Sequence, residues 1–448
     1  MILREEVPER GQYDIIVAGG GVAGVASAVS AARLGRKVLL IEKSMKLGGL
    51  ATLGLINLFV PMCNGRGKQI IFGMAQEFLE LSLRYGYGDL PKEFQNGRIP
   101  EKTLAAYRDR GQLPPRYMVR FSPEIFALTL TELCQKEGVH LLFDSVLSKP
   151  VMDPDRPGIL SGVVVENKSG REYYSAQMFV DATGDGDLLF RAGVPTKARG
   201  NYHIYVGFGI TLDSCKRAAE LGDIGLATES FRGGNASLYG HNQPEGMPLY
   251  SGTSSESVNR YLITNQLEML DKIKGDDRKS RDITTLPGMA QFRTTRCIDG
   301  DYVLKESDTY RHFADSVGAI CDFDRRDYLF EIPFGALVKH GYDNLITAGR
   351  SAAGEGYAWD VLRVIPPAIL SGQAAGVACA HALDEKRPIW DVDISRLQAE
   401  LEREKVLIHF ADEDVPAVSL VFMKTTINKF TQKQGSPKRS PFLHLTLF

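Results

Sequence analysis

The sequence is short of cysteine and tryptophan, favours neither charge, and contains no long apolar run. Six cysteines and two tryptophans are spread over 448 residues. No two of Cys63, Cys134, Cys215, Cys297, Cys321 and Cys379 form a CxxC pair, so neither a zinc site nor a redox disulfide is signalled and no metal is expected. Most read as buried thiols, with Cys63 in VPMCNGRG the one to watch for reactivity. Lys and Arg number 53 against 55 Asp and Glu, a formal net charge of −2, which gives no global field for nucleic acid or an anionic membrane. No uninterrupted apolar stretch is long enough to span a bilayer, and MILREEVPER, with three glutamates, lacks the apolar region of a signal peptide. These absences predict a cytoplasmic protein whose partners are small molecules, with no nucleic acid and no membrane.

What is present is a core-forming composition, 44% hydrophobic, enough for two or three lobes. The stretch YDIIVAGGGVAGVASAVSAARLGRKVLLIEK, from Tyr13 to Lys43, places a β-branched strand (Ile15 to Ala18) before glycines, then a helix from Val22 to Leu34 that stops at Gly35, then a strand from Lys37 to Ile41 ending at Glu42. This is the βαβ unit that holds a dinucleotide. Gly19 permits the sharp turn, Gly21 lets the backbone approach a pyrophosphate at the helix N-terminus, and Gly24 lets helix and strand pack closely. Glu42 has the spacing of a ribose acceptor, and its charge repels the extra phosphate of NADP, so FAD or NAD fits better.

Further along, KLGGLATLGLINLF carries Gly48 and Gly49, where a backbone approaches something bound or simply turns. A helix is predicted over Ile70 to Tyr85, then a surface excursion from Gly86 to Arg116. Ser122-Pro123-Glu124 is an N-cap with proline at the first helical position, opening a helix to Lys136, and VHLLF follows as a strand. The segment from Gly158 to Asp187 reads as a β-meander with a polar turn at Asn167 to Gly170. From Asn201 to Asp324 the pattern is irregular, with a helical stretch at Asn259 to Lys274, and reads as an inserted lobe. Leu345 to Ala348 is then a strand running into Gly349, followed by a small-residue helix opening at Ile365, Pro366 and Pro367. Lys424, Lys429, Lys433, Lys438 and Arg439 make the last segment basic, and no function is assigned to it.

Taken in order, GGGVAG at Gly19 to Gly24, KLGG at Lys46 to Gly49, DATGDGD at Asp181 to Asp187 and NLITAGR at Asn344 to Arg350 resemble the FAD-dependent oxidoreductase family, from about Tyr13 to Ala382. The resemblance implies an α/β fold: a Rossmann-like FAD-binding domain with a β-meander and an inserted α+β cap lobe. Its expected divisions are 1–200 and 325–412 for the FAD-binding domain, 201–324 for the lobe and 413–448 for the basic tail. It implies noncovalent FAD and flavin redox chemistry. Around the cofactor it places Gly19, Gly21, Ala23, Gly24, Glu42 and Lys43, then Gly48 and Gly49. Val146 would present its backbone to adenine, Ala182, Thr183, Gly184 and Asp187 would pass beside the pyrophosphate and ribose, and Gly349, Arg350 and Ile365 would meet the flavin side.

GEGYAWDVLRVIPPAILSGQAAG is more distantly similar to the flavoprotein subunits of fumarate reductases and succinate dehydrogenases, where an arginine before the last helix faces the substrate. The matching residue is Arg363. Ala358, Trp359, Asp360 and Val361 replace the flanking histidine and glycine positions, so dicarboxylate chemistry does not carry over, and no matching position offers a covalent histidine link. By family match Arg293, Arg296 and Arg363 are the candidate catalytic residues, as guanidinium forks for an anionic substrate. His312 and Tyr357 are acid/base groups by type. A hydride transfer between flavin and an unidentified small molecule is the expected reaction, with the electron acceptor open. A nicotinamide dehydrogenase, a flavoprotein acting on tRNA and a noncatalytic flavin-binding module are the alternatives.

Overall fold

A computed structural model describes residues 5–116 and 118–416. The five basic residues of the last segment lie outside the described residues.

The first strand, β1 (Glu9–Ala18), helix α1 (Val22–Arg33) and β2 (Val38–Ile41) form the expected βαβ unit. Eight of the ten positions from Val22 to Ala31 are Ala, Gly or Val, and all ten are buried, so α1 lies between layers rather than on the surface. The helix expected from Ile70 begins only at Met74, because Gly73 adopts φ +59°, and the excursion after Gly86 contains a further helix, Glu101–Asp109. Ser122 caps α2 (Pro123–Lys136) by accepting from the Ile125 N–H, as the Ser-Pro-Glu signal predicts.

Then come β3 (His140–Leu142), β4 (Val146–Met152), β5 (Leu160–Asn167) and β6 (Gly170–Asp181). The long β6 serves two sheets' worth of pairing. Over residues 170–175 it closes an antiparallel meander with β5 and β4, and from Tyr173 to Asp181 it runs parallel to β1 on its other edge.

The chain next leaves for a lobe built on β7 (Ile204–Thr211), flanked antiparallel by β8 (Glu229–Asn235) and β9 (Arg281–Thr285). Helix α3 (Ser255–Ile273) covers this sheet over a core of Tyr205, Tyr250, Tyr261, Met269 and Phe292. The expected insert of 201–324 is thus divided. Strand β10 (Ser316–Cys321) lies inside that range, but its run SVGAIC is buried throughout and packs in the same core as Ile15 and Val17. A strand with no polar face has to be covered on both sides, and the main body provides that cover.

Strand β11 (Leu329–Pro333) pairs with β10, and β12 (Leu345–Thr347) joins β6 in parallel, completing the order β3-β2-β1-β6-β12. Two helices, α4 (Gly356–Leu362) and α5 (Ile365–Glu385), follow, and then α6 (Ile394–Arg403). Gly372 and Gly376 let α5 lie directly on α1: a Cβ on either would stand 2.2 Å from the carbonyl oxygen of Ala23 or Ser27. Ser27 Oγ also donates to the Gly372 carbonyl at 2.9 Å. This contact fixes where α5 begins, and so places its N-terminus beside that of α1. No single helix among the described residues is long and apolar enough to cross a membrane.

Candidate functional site

The glycines after β1 have separate reasons. Gly19 sits at φ +100°, and a Cβ there would lie 2.5 Å from the Ala182 carbonyl oxygen, so both the turn and the crossing loop require glycine. A Cβ on Gly24 would lie 1.8 Å from the Gly19 carbonyl oxygen, within α1's own approach to the turn. Gly21 differs: its φ is −65°, and no protein atom lies within 4 Å of where a Cβ would be. It is the N-cap of α1 and has no side-chain cap, so the first N–H groups of the helix open onto space that the protein leaves clear. Gly48 bridges in parallel to Gly21 and donates to the Gly20 carbonyl at 2.8 Å, while Gly49 lies against the Gly21 backbone. The arrangement fits a dinucleotide pyrophosphate.

Glu42 has a task that its spacing did not reveal. Its carboxylate is buried and accepts the Gly20 N–H at 2.7 Å and the Ser44 N–H at 2.8 Å, pinning the glycine turn to the end of β2. Each carboxylate oxygen keeps a second lone-pair position, so a ribose hydroxyl can still be accepted. Lys43 is exposed. The Asp144 and Ser145 N–H groups bond back to the Ser44 and Glu42 carbonyls, which brings Val146, half-exposed at the start of β4, to the same end of the cradle.

Asp181 is fully buried at the end of β6 and shapes the DATG loop. It accepts from the Thr183 N–H and hydroxyl and from the Leu189 N–H, and burial nonetheless pushes its carboxyl up to about 6. The Thr183 hydroxyl accepts the Asp187 N–H in turn. Ala182 donates to the Ala18 carbonyl. Gly184, at φ +75°, lies under the Arg350 guanidinium. That guanidinium donates to the Gly184 carbonyl at 2.7 Å, to Asp185 at 2.5 Å and to the Phe292 carbonyl, tying the loop to the lobe's connecting segment. Arg350 is therefore held by protein groups around the cradle. Gly349, at φ +76°, has no room for a Cβ because Ala23 lies 2.8 Å away.

Beside the N-terminus of α5 is a mainly apolar cavity. The segment after Gly49 contributes Leu50, Ile56, Leu58 and Val60; β7 contributes Ile204 and Val206; Phe323 closes one side. Gln291, Phe292 and Arg293 enter from the lobe and Arg363, Val364 and Ile365 from the head of α5. Gln291 is occupied with backbone: its amide donates to the Gly54 and Val206 carbonyls and its oxygen accepts the Val206 N–H.

The two arginines give the cavity its electrostatics. Arg293 donates to the Ser237 and Ala236 carbonyls, both at 3.3 Å, but its buried Nε has no partner. Burial, with the Arg363 charge next to it, pulls its guanidinium down to about 10. Arg363 donates through Nε to Asp360 at 2.8 Å, and burial lowers it too, against the pull of that carboxylate. Asp360 also pairs with Arg199 at 2.6 Å. Arg199 and Arg363 thus share one carboxylate while Arg293 pairs with none, which leaves positive charge for an anion to balance.

Arg296, the third arginine expected to serve catalysis, does not line this cavity. It is as buried as Arg293, both 8% exposed, but its guanidinium bonds Asp187 and the Asp185 carbonyl at 3.3 Å and lies 4.0 Å over the Phe190 ring. It braces the loop behind the cradle. Arg296→Ala is expected to lower stability by about 1–2 kcal/mol in denaturant unfolding while flavin reduction keeps its rate. A slowed reduction would return it to the reacting site.

Neither acid/base candidate lines the cavity. Tyr357 donates to Asp322 at 2.7 Å beneath Arg325, and His312 contacts Glu331 and Asp412. Cys63 is fully buried, and burial holds the thiols of Cys134, Cys297, Cys321 and Cys379 above their usual range. The apolar lining had one legible signal: Ile204 and Val206 are two apart, as same-face strand residues must be. The rest of the lining comes from segments distant in sequence.

The sequence profile of the family described as FAD dependent oxidoreductase matches residues 14–205 and 241–401. No curated protein matches the chain. Among solved structures, a geranylgeranyl bacteriochlorophyll reductase-like protein from Thermoplasma acidophilum is 13% identical, with 94% of this chain and 97% of that one covered and a TM-score of 0.39. A p-nitrophenol 4-monooxygenase from Pseudomonas putida is 11% identical over 94% and 86%, TM-score 0.41. A flavoprotein/dehydrogenase from Cytophaga hutchinsonii is 14% identical over 87% and 82%, TM-score 0.42.

Proposed function

Since the chain belongs to the FAD dependent oxidoreductase family, and so is an oxidoreductase with FAD as its cofactor, we propose that it transfers a hydride between flavin and a small molecule with an apolar body and an anionic group. The observation that carries this reading is the unpartnered Nε of buried Arg293 in a cavity that Arg363 also lines.

The glycine cradle, with Gly21 at its open point, would hold the pyrophosphate, Glu42 the ribose, and the backbone at Val146 the adenine. FAD supplies the hydride acceptor or donor when bound. The protein's part is positioning and electrostatics. Arg293 and Arg363 draw the anionic group of the substrate to the charged end of the cavity, while Leu50, Ile56, Leu58, Ile204 and Val206 exclude water from its apolar body. The N-terminus of α5 adds a positive dipole, but Pro366 and Pro367 carry no N–H, so among its first three residues only Ile365 has one to offer.

Anaerobic mixing with a panel of metabolites tests the reading: carboxylate- or phosphate-bearing apolar compounds should bleach the flavin, and their neutral esters should not. Equal bleaching by the neutral analogues would sink the anionic-group assignment. FAD is also expected to leave the chain on acid precipitation, because none of the lining residues is His, Cys or Tyr, the residues suited to a covalent flavin link. Flavin remaining on the denatured protein would contradict this.

A further inference from the structure

Away from the cavity, the loop before β10, the middle of β11 and the segment after α6 bring His312, Glu331 and His409 together. Among the described residues this is the only group of three or more His, Cys, Asp or Glu side chains whose ligand atoms converge, all within 4.8 Å of one another. Their sequence separations of 19 and 78 leave no local motif. None of the three lines the cavity.

Glu331 is fully buried, and one of its oxygens accepts the Phe313 N–H at 2.8 Å, which fixes the carboxylate's orientation. The other oxygen lies 2.6 Å from His312 Nδ1 and 3.1 Å from His409 Nδ1. Ligands about 2.0–2.1 Å from a tetrahedral zinc ion are separated by roughly 3.3 Å, so only a small opening of these contacts admits one.

The far side of His312 supplies the second observation. Its Nε2 is 3.3 Å from the Asp412 carboxylate. Its Nδ1 faces a Glu331 carboxylate oxygen 2.6 Å away, so the ring is held between two carboxylates. Two carboxylates facing one imidazole favour a positive charge at the cluster, carried by a proton or by a metal ion. A histidine held by an outer carboxylate and facing an ion is the arrangement that metal sites use. The histidine side chains are 40% and 45% exposed, so solvent can deliver an ion and complete its coordination.

We propose that His312, Glu331 and His409 bind one divalent transition-metal ion of the zinc class. Imidazole with carboxylate suits such ions. The ion would fasten the segment carrying His409 to β11; that segment is otherwise held to the neighbouring β10 by hydrogen bonds such as Ser316 Oγ to the Ile408 carbonyl at 2.8 Å.

The FAD-loaded full chain, stripped with a chelator, is titrated with Zn²⁺ against a chromophoric competitor and separately with Co²⁺. One equivalent should bind, with a tetrahedral Co²⁺ spectrum, and Zn²⁺ should raise the unfolding midpoint. Asp412→Asn is expected to weaken binding about tenfold, and His409→Ala more than that. Both altered side chains are exposed, and retained flavin absorbance reports that each variant is folded. Zn²⁺ binding no tighter in the natural chain than in the His312→Ala/His409→Ala double variant overturns the proposal and leaves a protonated clasp in its place.

Discussion

Gly21→Val is expected to give a folded chain that purifies without FAD. A Cβ at this position meets no protein atom within 4 Å, and the backbone is in a region open to any residue, so the native fold accepts the side chain. What the isopropyl group occupies is the clear space in front of α1, where the pyrophosphate would take the first helical N–H groups. Overpacking of that kind costs about 1–3 kcal/mol, and displacing the anion from those N–H donors brings the expected weakening to roughly a hundredfold or more. Gly24→Val is the contrast. Its Cβ would stand 1.8 Å from the Gly19 carbonyl oxygen, so that variant should fail at folding. Circular dichroism and flavin absorbance on the two proteins separate the effects. Stoichiometric FAD in folded Gly21→Val would move the pyrophosphate elsewhere.

Arg363→Ala should slow flavin reduction by the anionic substrate while FAD content stays unchanged. Losing a guanidinium that meets charge in the transition state is worth about 2–4 kcal/mol, roughly thirty- to thousandfold in rate. Asp360 keeps Arg199 as its partner, so the truncation does not strand a buried carboxylate. Arg293→Ala should act in the same direction, since its Nε and the head of α5 belong to one cavity. A probe independent of turnover is the shift of the flavin spectrum on adding benzoate: it should be present in the natural chain and weakened in both variants. Unchanged reduction kinetics together with an unchanged benzoate response would remove the arginines from the site.

Much of this was legible because it is local. The roles of Gly19 and Gly24 follow from dihedral angle and close approach, and α2 starts at Pro123 because a serine, a proline and an acid in succession satisfy the first turn of a helix. The meander was readable from period-2 alternation around a polar turn, and Gly170 takes φ +101° where that turn requires it. Helix starts were less secure where a single glycine decided them, as Gly73 does at φ +59°, with Gln373 and Val406 from far along the chain occupying the place a Cβ would take.

The sequence by itself determined the βαβ unit with its glycine turn, the meander and the family, because each rests on neighbours in the chain whose spacing is the physical cause. Tertiary structure alone decided which arginine serves the cavity. Arg293 and Arg296 are three residues apart, the first at a bend and the second at the start of a short strand, and only the packing of the lobe on the main body puts Arg293 on the cavity and Arg296 against the loop of Asp185 and Asp187. It also decided that Glu42 pins the glycine turn, that β10 belongs to the main core, and that two histidines 97 residues apart meet on one carboxylate, the separation being the sum of 19 and 78. Those contacts form between segments whose proximity is a product of the whole fold, so no window of sequence contains the reason for them.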